Sequence, residues 1–469
     1  MSNAAGKFSA PRSVFTGAGS REPPVSLSRS EKIAGLALVA LVFTEHLAFG
    51  GGRREVALGF IAIDGLFLAA LVLFVGWTRT SAAEARSLRA PALLFGLLVL
   101  TALWSLTPWT PGGPHPVWSY VPSVLPASAI DRSAVLLELI KLAGLACVFA
   151  AGWLIGGKDD RARFALQGFV VADGTYALWA FLNQMIDPNF MFGVFPMPNS
   201  GTRLEGSFLS ANTAGTFFGA SSVLALCAVM ERLRSTARGS VQKSIERVAL
   251  PGAAGVFAVV CLILTASRGA IAATFVGLVA LLIWEGFARR WRLLGPAGAG
   301  LLVLVLCVAA LLALGGTTLA DRLLQGGSEV GRSDIAQAHW HAFLARPLLG
   351  YGLGSFDGVN TLVTTSVNYP SLWNVHAAHN VFLQWLEEGG ILGAAAMFAA
   401  VLAILVLIIR GAQRRARMTG WLRGVVAVSL VFLVHGLSDF ALQIPSMAAF
   451  WAAMLGLGAG LASPRSARL

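Results

Sequence analysis

The chain has 469 residues, of which 56% are apolar and only 12% charged, about half the charged share of a soluble domain, so an ordinary globular class is excluded and a polytopic membrane protein is indicated. The net charge of +12 does not argue for nucleic acid, because the basic residues fall in short clusters between apolar runs, the pattern that orients membrane proteins. Cys147, Cys227, Cys261 and Cys307 all lie in apolar segments, which gives neither a disulfide framework nor zinc-ligand spacing.

Residues 1–32, rich in Ser, Pro, Gly and Arg, read as a disordered cytoplasmic tail. The first apolar run, Ile33 to Phe49, lacks a small-x-small cleavage site and is followed closely by a second, so it reads as an uncleaved span. With about 20 residues needed per crossing, the hydropathy pattern predicts an all-α protein of about twelve transmembrane helices. They fall near 33–50, 56–76, 91–107, 134–156, 164–186, 208–230, 248–266, 269–288 and 296–316, then 391–409, 421–441 and 443–462. Nine helices thus occupy 33–316, and three, with a short cytoplasmic tail, occupy 391–469. Placing both termini inside puts 26 of the 35 Lys and Arg on the cytoplasmic side, as the positive-inside rule asks. If the cell is Gram-negative, the expected location is the bacterial inner membrane, with the external loops in the periplasm.

Three external loops follow from that orientation. Pro108 to Arg132, rich in Pro and Trp, reads as an interfacial loop, and Asp187 to Ser207, with three prolines, reads as extended. The third, 317–390, is a large periplasmic loop holding four of the seven histidines: His339, His341, His376 and His379. Within it, Ser333 to Arg346 reads as a helix stopped by Pro347, and Gly350-Tyr-Gly352-Leu-Gly354 forces a turn. His379 or Asn380 then opens a short helix that runs to Gly389-Gly390 and feeds the tenth span.

The candidate chemistry sits on this external face. Arg203 precedes the sixth span, and Arg268 lies in the tight turn between the seventh and eighth. An arginine at such depth is costly without an anionic partner. Either it snorkels to the headgroups, or Arg203 and Arg268 converge on a phosphate or pyrophosphate, which guanidinium forks bind bidentately. Arg332 is a third candidate, against a solvated helix face. His379 is the best general base, its ordinary pKa lying near neutrality, with His376 an alternate or a partner. His339 and His341, two apart, point to different helix faces, which argues against a shared metal. Asn212 and Asn380 are candidate substrate contacts, although Asn380 also suits an N-cap. Glu387 and Glu388 either accept hydrogen bonds from sugar or arginine or solvate the helix end. His435 and Asp439, four apart on one face, suit loop support or a basic partner. Glu138 and Lys141 read as an internal neutralising pair. No G-x-S-x-G or H-E-x-x-H occurs, and the external carboxylates lack metal-ligand clustering, so metal-independent chemistry is expected.

The tract Gly331-Arg332-Ser333, Trp340, Pro347-Leu-Leu-Gly350-Tyr-Gly352, followed by His379-Asn380-x-x-Leu383-Gln384 and Glu388-Gly389-Gly390-Ile-Leu-Gly393, resembles the O-antigen ligase and polymerase superfamily. Arg203-Leu-x-Gly206-Ser-Phe-x-x-x-Asn212 and Ser267-Arg268-Gly269 fit the same pattern, so the resemblance runs from about 200 to 440. It implies an inverting glycosyltransferase using a glycan linked to undecaprenyl pyrophosphate, without nucleotide sugar, metal or other cofactor. Arg203 and Arg268 would hold the pyrophosphate, and His379 would deprotonate the acceptor hydroxyl. His376 departs from the pattern and leaves the choice of base open. The expected acceptor is lipid A–core of lipopolysaccharide, as in an O-antigen ligase. A repeat-unit polymerase acting on a growing glycan, and a protein O-oligosaccharyltransferase, stay open within the superfamily. A transporter, a reading from another class, rests only on Glu45, Asp64 and Asp173 inside spans.

Overall fold

Lipid offers a backbone no hydrogen-bond partner but itself, so apolar runs must close their own ladders as helices. The computed structural model describes residues 27–73, 82–196, 203–234, 241–288 and 329–464. The predicted ninth span, 296–316, and nearly all of the N-terminal tail lie outside the described residues. In chain order the described helices are α1 (Arg29–Leu47), α2 (Arg54–Leu71), α3 (Ala82–Ser87), α4 (Arg89–Ser105), α5 (Arg132–Gly156) and α6 (Asp159–Ile186). A two-residue hairpin, β1 (Phe190–Met191) with β2 (Phe195–Pro196), leads to α7 (Ala211–Arg234), α8 (Val241–Leu264) and α9 (Arg268–Ala288). After the gap come α10 (Glu329–Ala345), α11 (Phe356–Val363), α12 (Tyr369–Leu372), α13 (Val381–Arg414), α14 (Thr419–His435) and α15 (Pro445–Ala462).

Among the described residues, seven helices are long and apolar enough to cross a membrane: α5, α6, α7, α8, α9, α13 and α15. α4 and α14 are apolar but shorter. α1 and α2 occupy the first two predicted spans and carry charges in their first turns, together with Glu45 and Asp64 further along.

α7 is the axis of the bundle and is almost wholly buried, packed between α6, α8, α9 and α14. The tightest contact joins α5 to α15. Gly152-x-x-x-Gly156 faces Gly456-x-x-x-Gly460, and a Cβ on Gly156 would lie 2.5 Å from the carbonyl oxygen of Leu457. Only glycine lets two backbones approach so closely, and in lipid that van der Waals contact replaces the hydrophobic drive between helices. Ion pairs join helix ends at one end of the bundle: Lys158 with Glu31 at 2.8 Å, Arg415 with Asp159 at 2.5 Å, and Arg423 with Glu285 at 2.9 Å. Arg234 also pairs with Glu285.

The other end carries the cap formed by α10, α11 and α12. Two glycines anchor it to α13. Gly350 (φ 65°) and Gly390 (φ 60°) both occupy the left-handed half of the map. A Cβ on Gly350 would lie 2.2 Å from the Glu387 carbonyl oxygen, and one on Gly390 would lie 2.3 Å from that of Leu348. Main chain therefore packs on main chain. The N–H groups of Tyr351 and Gly352 donate to the carbonyls of Glu387 and Glu388, and that of Ile391 donates to Pro347. Helix α13 breaks at Gly390 (ψ −173°), so a short capping helix continues into a long span, as the sequence predicts.

Candidate active site

The segment before α7 lies along the turn between α8 and α9. The Leu204 N–H donates to the Leu264 carbonyl at 3.0 Å, and Arg203 Nε donates to the carbonyl of Thr265 at 2.7 Å. The turn runs through Ala266, whose φ of 48° is strained for a side-chain-bearing residue. It ends where Ser267 Oγ accepts the Ala270 N–H and starts α9 at Arg268. Arg203 is thus seated on the very turn that presents Arg268. Its Nη2 also donates to Asn212 Oδ1 at 3.0 Å.

Asn212 begins a polar thread across the bundle end. Its side chain hydrogen-bonds Asp439. One helical turn on, Thr216 Oγ1 lies 2.6 Å from His435 Nδ1. His435 Nδ1 is 4.0 Å from Asp439 Oδ2, which accepts the Ala441 N–H at 3.1 Å. The His435 ring also covers Gly269, where a Cβ would sit 2.9 Å from Nε2. Burial raises Asp439 to about 7, opposed by the Phe440 N–H, the Arg332 charge and the Ala441 and Asn212 hydrogen bonds.

His379 enters from the other side. It has φ 51°, its ring meets Phe440 edge-on with centroids 5.0 Å apart, and the Val381 N–H two residues on donates to the carbonyl of Gly436 at 2.8 Å. Its Nδ1 is enclosed with no hydrogen-bond partner, which leaves Nε2 as the nitrogen a substrate hydroxyl can reach. Burial, and then the positive charge of Arg332, lower its pKa to about 4. Arg332 is exposed near the start of α10, and its charge is felt at both His379 and Asp439. Arg203, the turn that carries Arg268, the Arg332 charge and the His379 imidazole therefore belong to one neighbourhood, with Asn212, His435 and Asp439 between them.

Other predicted residues lie outside that neighbourhood. His376 is exposed and pairs with Asp357 at 3.0 Å. Asn380 caps α13, its Oδ1 accepting from the N–H groups of Phe382 and Leu383. Glu388 is buried and accepts from the Gly354 N–H at 2.8 Å and Gln384 Nε2 at 2.9 Å. Glu387 accepts from buried His339 at 2.8 Å, and that ring's Nε2 lies 3.2 Å from Asn360 Oδ1. His341, two residues along, is exposed. Glu138 and Lys141 do pair within α5. Residues absent from the sequence reading are Thr216, Thr265 and Phe440. Thr216 stands four residues after Asn212 on the same helix face, a spacing that could have revealed it. Among the described residues no three His, Cys, Asp or Glu side chains form a metal-ligating group.

The O-antigen ligase family model matches residues 253–398, from α8 to the middle of α13. This part of the chain is similar to the O-antigen ligase family. The matched segment contains Arg268, Arg332 and His379, whereas Arg203, Asn212, His435 and Asp439 flank it in sequence and meet it in space. The apolar helices make the protein a polytopic membrane protein. No curated protein matches the chain.

Proposed function

We propose that the protein is an inverting, metal-independent glycosyltransferase that moves a glycan from undecaprenyl pyrophosphate to an acceptor hydroxyl on the periplasmic side of the inner membrane. The observation that carries this reading is the seating of Arg203 on the Arg268 turn, with His379 and the Arg332 charge beside it. Guanidinium groups at that spot stabilise charge developing on a departing diphosphate. Meanwhile His379 Nε2, held neutral by its surroundings, accepts the proton of the attacking hydroxyl. The bond from the anomeric carbon to the diphosphate oxygen breaks as the new glycosidic bond forms on the opposite face. Asn212, His435 and Asp439 fix the two halves of the site relative to each other.

The topology that goes with this reading has about twelve spans, both termini in the cytoplasm, and the capped end outside. The ion-paired end then faces the cytoplasm, where the positive-inside rule places most of the Lys and Arg. Transfer to lipid A–core is the leading reaction. Polysaccharide from a deletion strain tests it: polymer retained on its lipid carrier and missing from lipopolysaccharide marks a ligase. Single repeat units mark a polymerase, and unaltered polysaccharide refutes both. Transfer by purified enzyme that stops with a chelator and resumes with added cation would refute the metal-independent step.

A further inference from the structure

His339 is enclosed inside the cap, where it joins three elements. Its ring stacks on Phe356 of α11 with centroids 4.4 Å apart, and none of it reaches solvent. Nδ1 lies 2.8 Å from Glu387 Oε2 on α13, and Nε2 lies 3.2 Å from Asn360 Oδ1 on α11. Both partners are buried as well. Arg332 stands about two turns earlier on the same helix as His339, α10.

The hydrogen-bond partners decide where the protons lie. Asn360 Nδ2 donates to the carbonyls of Leu372 and Val375, at 2.9 and 3.1 Å. Turning that amide over would set its oxygen against two carbonyl oxygens, so Oδ1 faces the ring and Nε2 carries a hydrogen. One further proton lies between Nδ1 and Glu387. The second carboxyl oxygen, Oε1, is buried with no hydrogen-bond partner among the described residues. A bare oxygen costs far more on a buried carboxylate than on a neutral carboxyl group. The proton therefore stays on Glu387, which donates to Nδ1 of a neutral imidazole. From Glu387 the chain of donors runs through His339 and Asn360 to the main chain at Leu372 and Val375.

That main chain leads to the base. Segment 372–379 is gripped near its start by Asn360 and near its end by Gln384, whose Oε1 accepts the Ala378 N–H at 3.2 Å. His379 follows Ala378 directly, in its left-handed conformation.

We infer that His339 is a positioning residue for glycosyl transfer. Through Asn360 it sets the segment that ends in His379, and through its own helix it fixes the Arg332 charge relative to that base. This rests on the glycosyl-transfer reading above. Enclosed as it is, His339 meets neither donor nor acceptor and acts through His379.

The test uses the full-length protein in nanodiscs with the polyprenyl-diphosphate donor and a lipid A–core acceptor. Asn360→Leu keeps the shape of the side chain and removes its hydrogen bonds. It should lower kcat about tenfold or more, as a small misplacement of a reacting group does. It should also move the acid limb of kcat/KM up by at least about one pH unit, from about 4 toward 6.5, as His379 leaves its buried place beside Arg332. The other titratable groups near His379, Asp439 and His435 past Phe440, are unchanged by this variant. Asn360→Ser is the milder variant if the first does not fold. Glu387→Gln is the conservative one, because an amide N–H replaces the carboxyl O–H toward Nδ1. It should keep kcat within about twofold and leave the limb in place.

A lowered kcat with an unmoved limb marks a merely structural role and overturns the inference, as does near-parental kcat in Asn360→Leu. Loss in Glu387→Gln as deep as in Asn360→Leu also overturns it. Independently of turnover, the His379 ring, labelled with ¹³C at Cε1 and assigned with His379→Gln, should titrate at higher pH in Asn360→Leu than in the parent protein; an unchanged titration refutes the positioning. That shift in a protein whose parent form transfers no glycan would sink the glycosyl-transfer reading and leave the link from His339 to His379 standing.

Discussion

Replacing Arg332 by glutamine should shift the acid limb of kcat/KM toward neutrality. His379 can accept a proton only when neutral, so activity is lost as pH falls through its pKa. That value is about 4 instead of 6.5, first because the ring is buried and second because Arg332 repels the imidazolium. At about pH 5, an ordinary histidine is only about 3% neutral, whereas His379 is about 90% neutral, a roughly thirtyfold difference in competent base. The parent enzyme should therefore stay near its plateau down to about pH 5. Glutamine at position 332 removes the repulsion and leaves the burial, so the limb should move up from about 4 without reaching 6.5. At about pH 5 the variant should lose up to about thirtyfold relative to its own plateau. The height of the plateau also falls if Arg332 helps to hold the donor, so the position of the limb is the readout. If bound diphosphate neutralises Arg332 as proposed, the limb of kcat, which reports the complex, should lie at higher pH than that of kcat/KM. A limb near 6.5 in the parent enzyme, or one that moves acidward in the variant, refutes the reasoning.

Further outcomes are expected from single substitutions. His379→Ala should lower kcat by about 10²- to 10⁴-fold, the usual contribution of a positioned base, with normal membrane levels by immunoblot; near-parental transfer would assign the base elsewhere. His376→Ala should leave transfer within about twofold, because its pairing with Asp357 is exposed and worth at most about 1 kcal/mol. Arg268→Lys should cut kcat/KM for the donor at least about tenfold, since a point charge does not reproduce bidentate recognition, and unchanged donor kinetics would remove Arg268 from that role. Gly390→Ala should destabilise the fold by more than the ~1–3 kcal/mol of left-handed strain alone, because its Cβ also meets the Leu348 carbonyl. A melting temperature equal to the parent's would contradict that packing.

Much of the helical framework was legible because lipid allows few alternatives to a helix, and α5 to α9 fall within a few residues of their predicted spans. The break at Gly390 was also legible, from Gly389-Gly390 standing between a polar run and an apolar one. What each polar residue does was harder to read. From sequence Glu388 either accepts a hydrogen bond from sugar or arginine or solvates the helix end, and in the structure it is buried against Gly354 and Gln384. Glu387 finds its partner in His339, 48 positions away, and no local spacing encodes such a pairing. Asn380 was the ambiguous case, and its N-cap geometry now accounts for its side-chain acceptor. From sequence, Arg203 and Arg268 read as a pair converging on an anion, with snorkelling to the headgroups as the alternative for Arg268. The hydrogen bond from Arg203 to Thr265 supplies the physical reason.

The interlocked glycine turns set a rule for how this chain can change length. Between Pro347 and Gly352, main-chain hydrogen bonds peg Pro347 to Ile391, Leu348 to Leu392, Tyr351 to Glu387 and Gly352 to Glu388. One inserted residue there would put the two strands of main chain out of step and pull His379 off Phe440. The stretch around Val367, which is 88% exposed, has no such pegging to α13. Insertions in relatives should therefore collect near Val367 and spare Pro347 to Gly352.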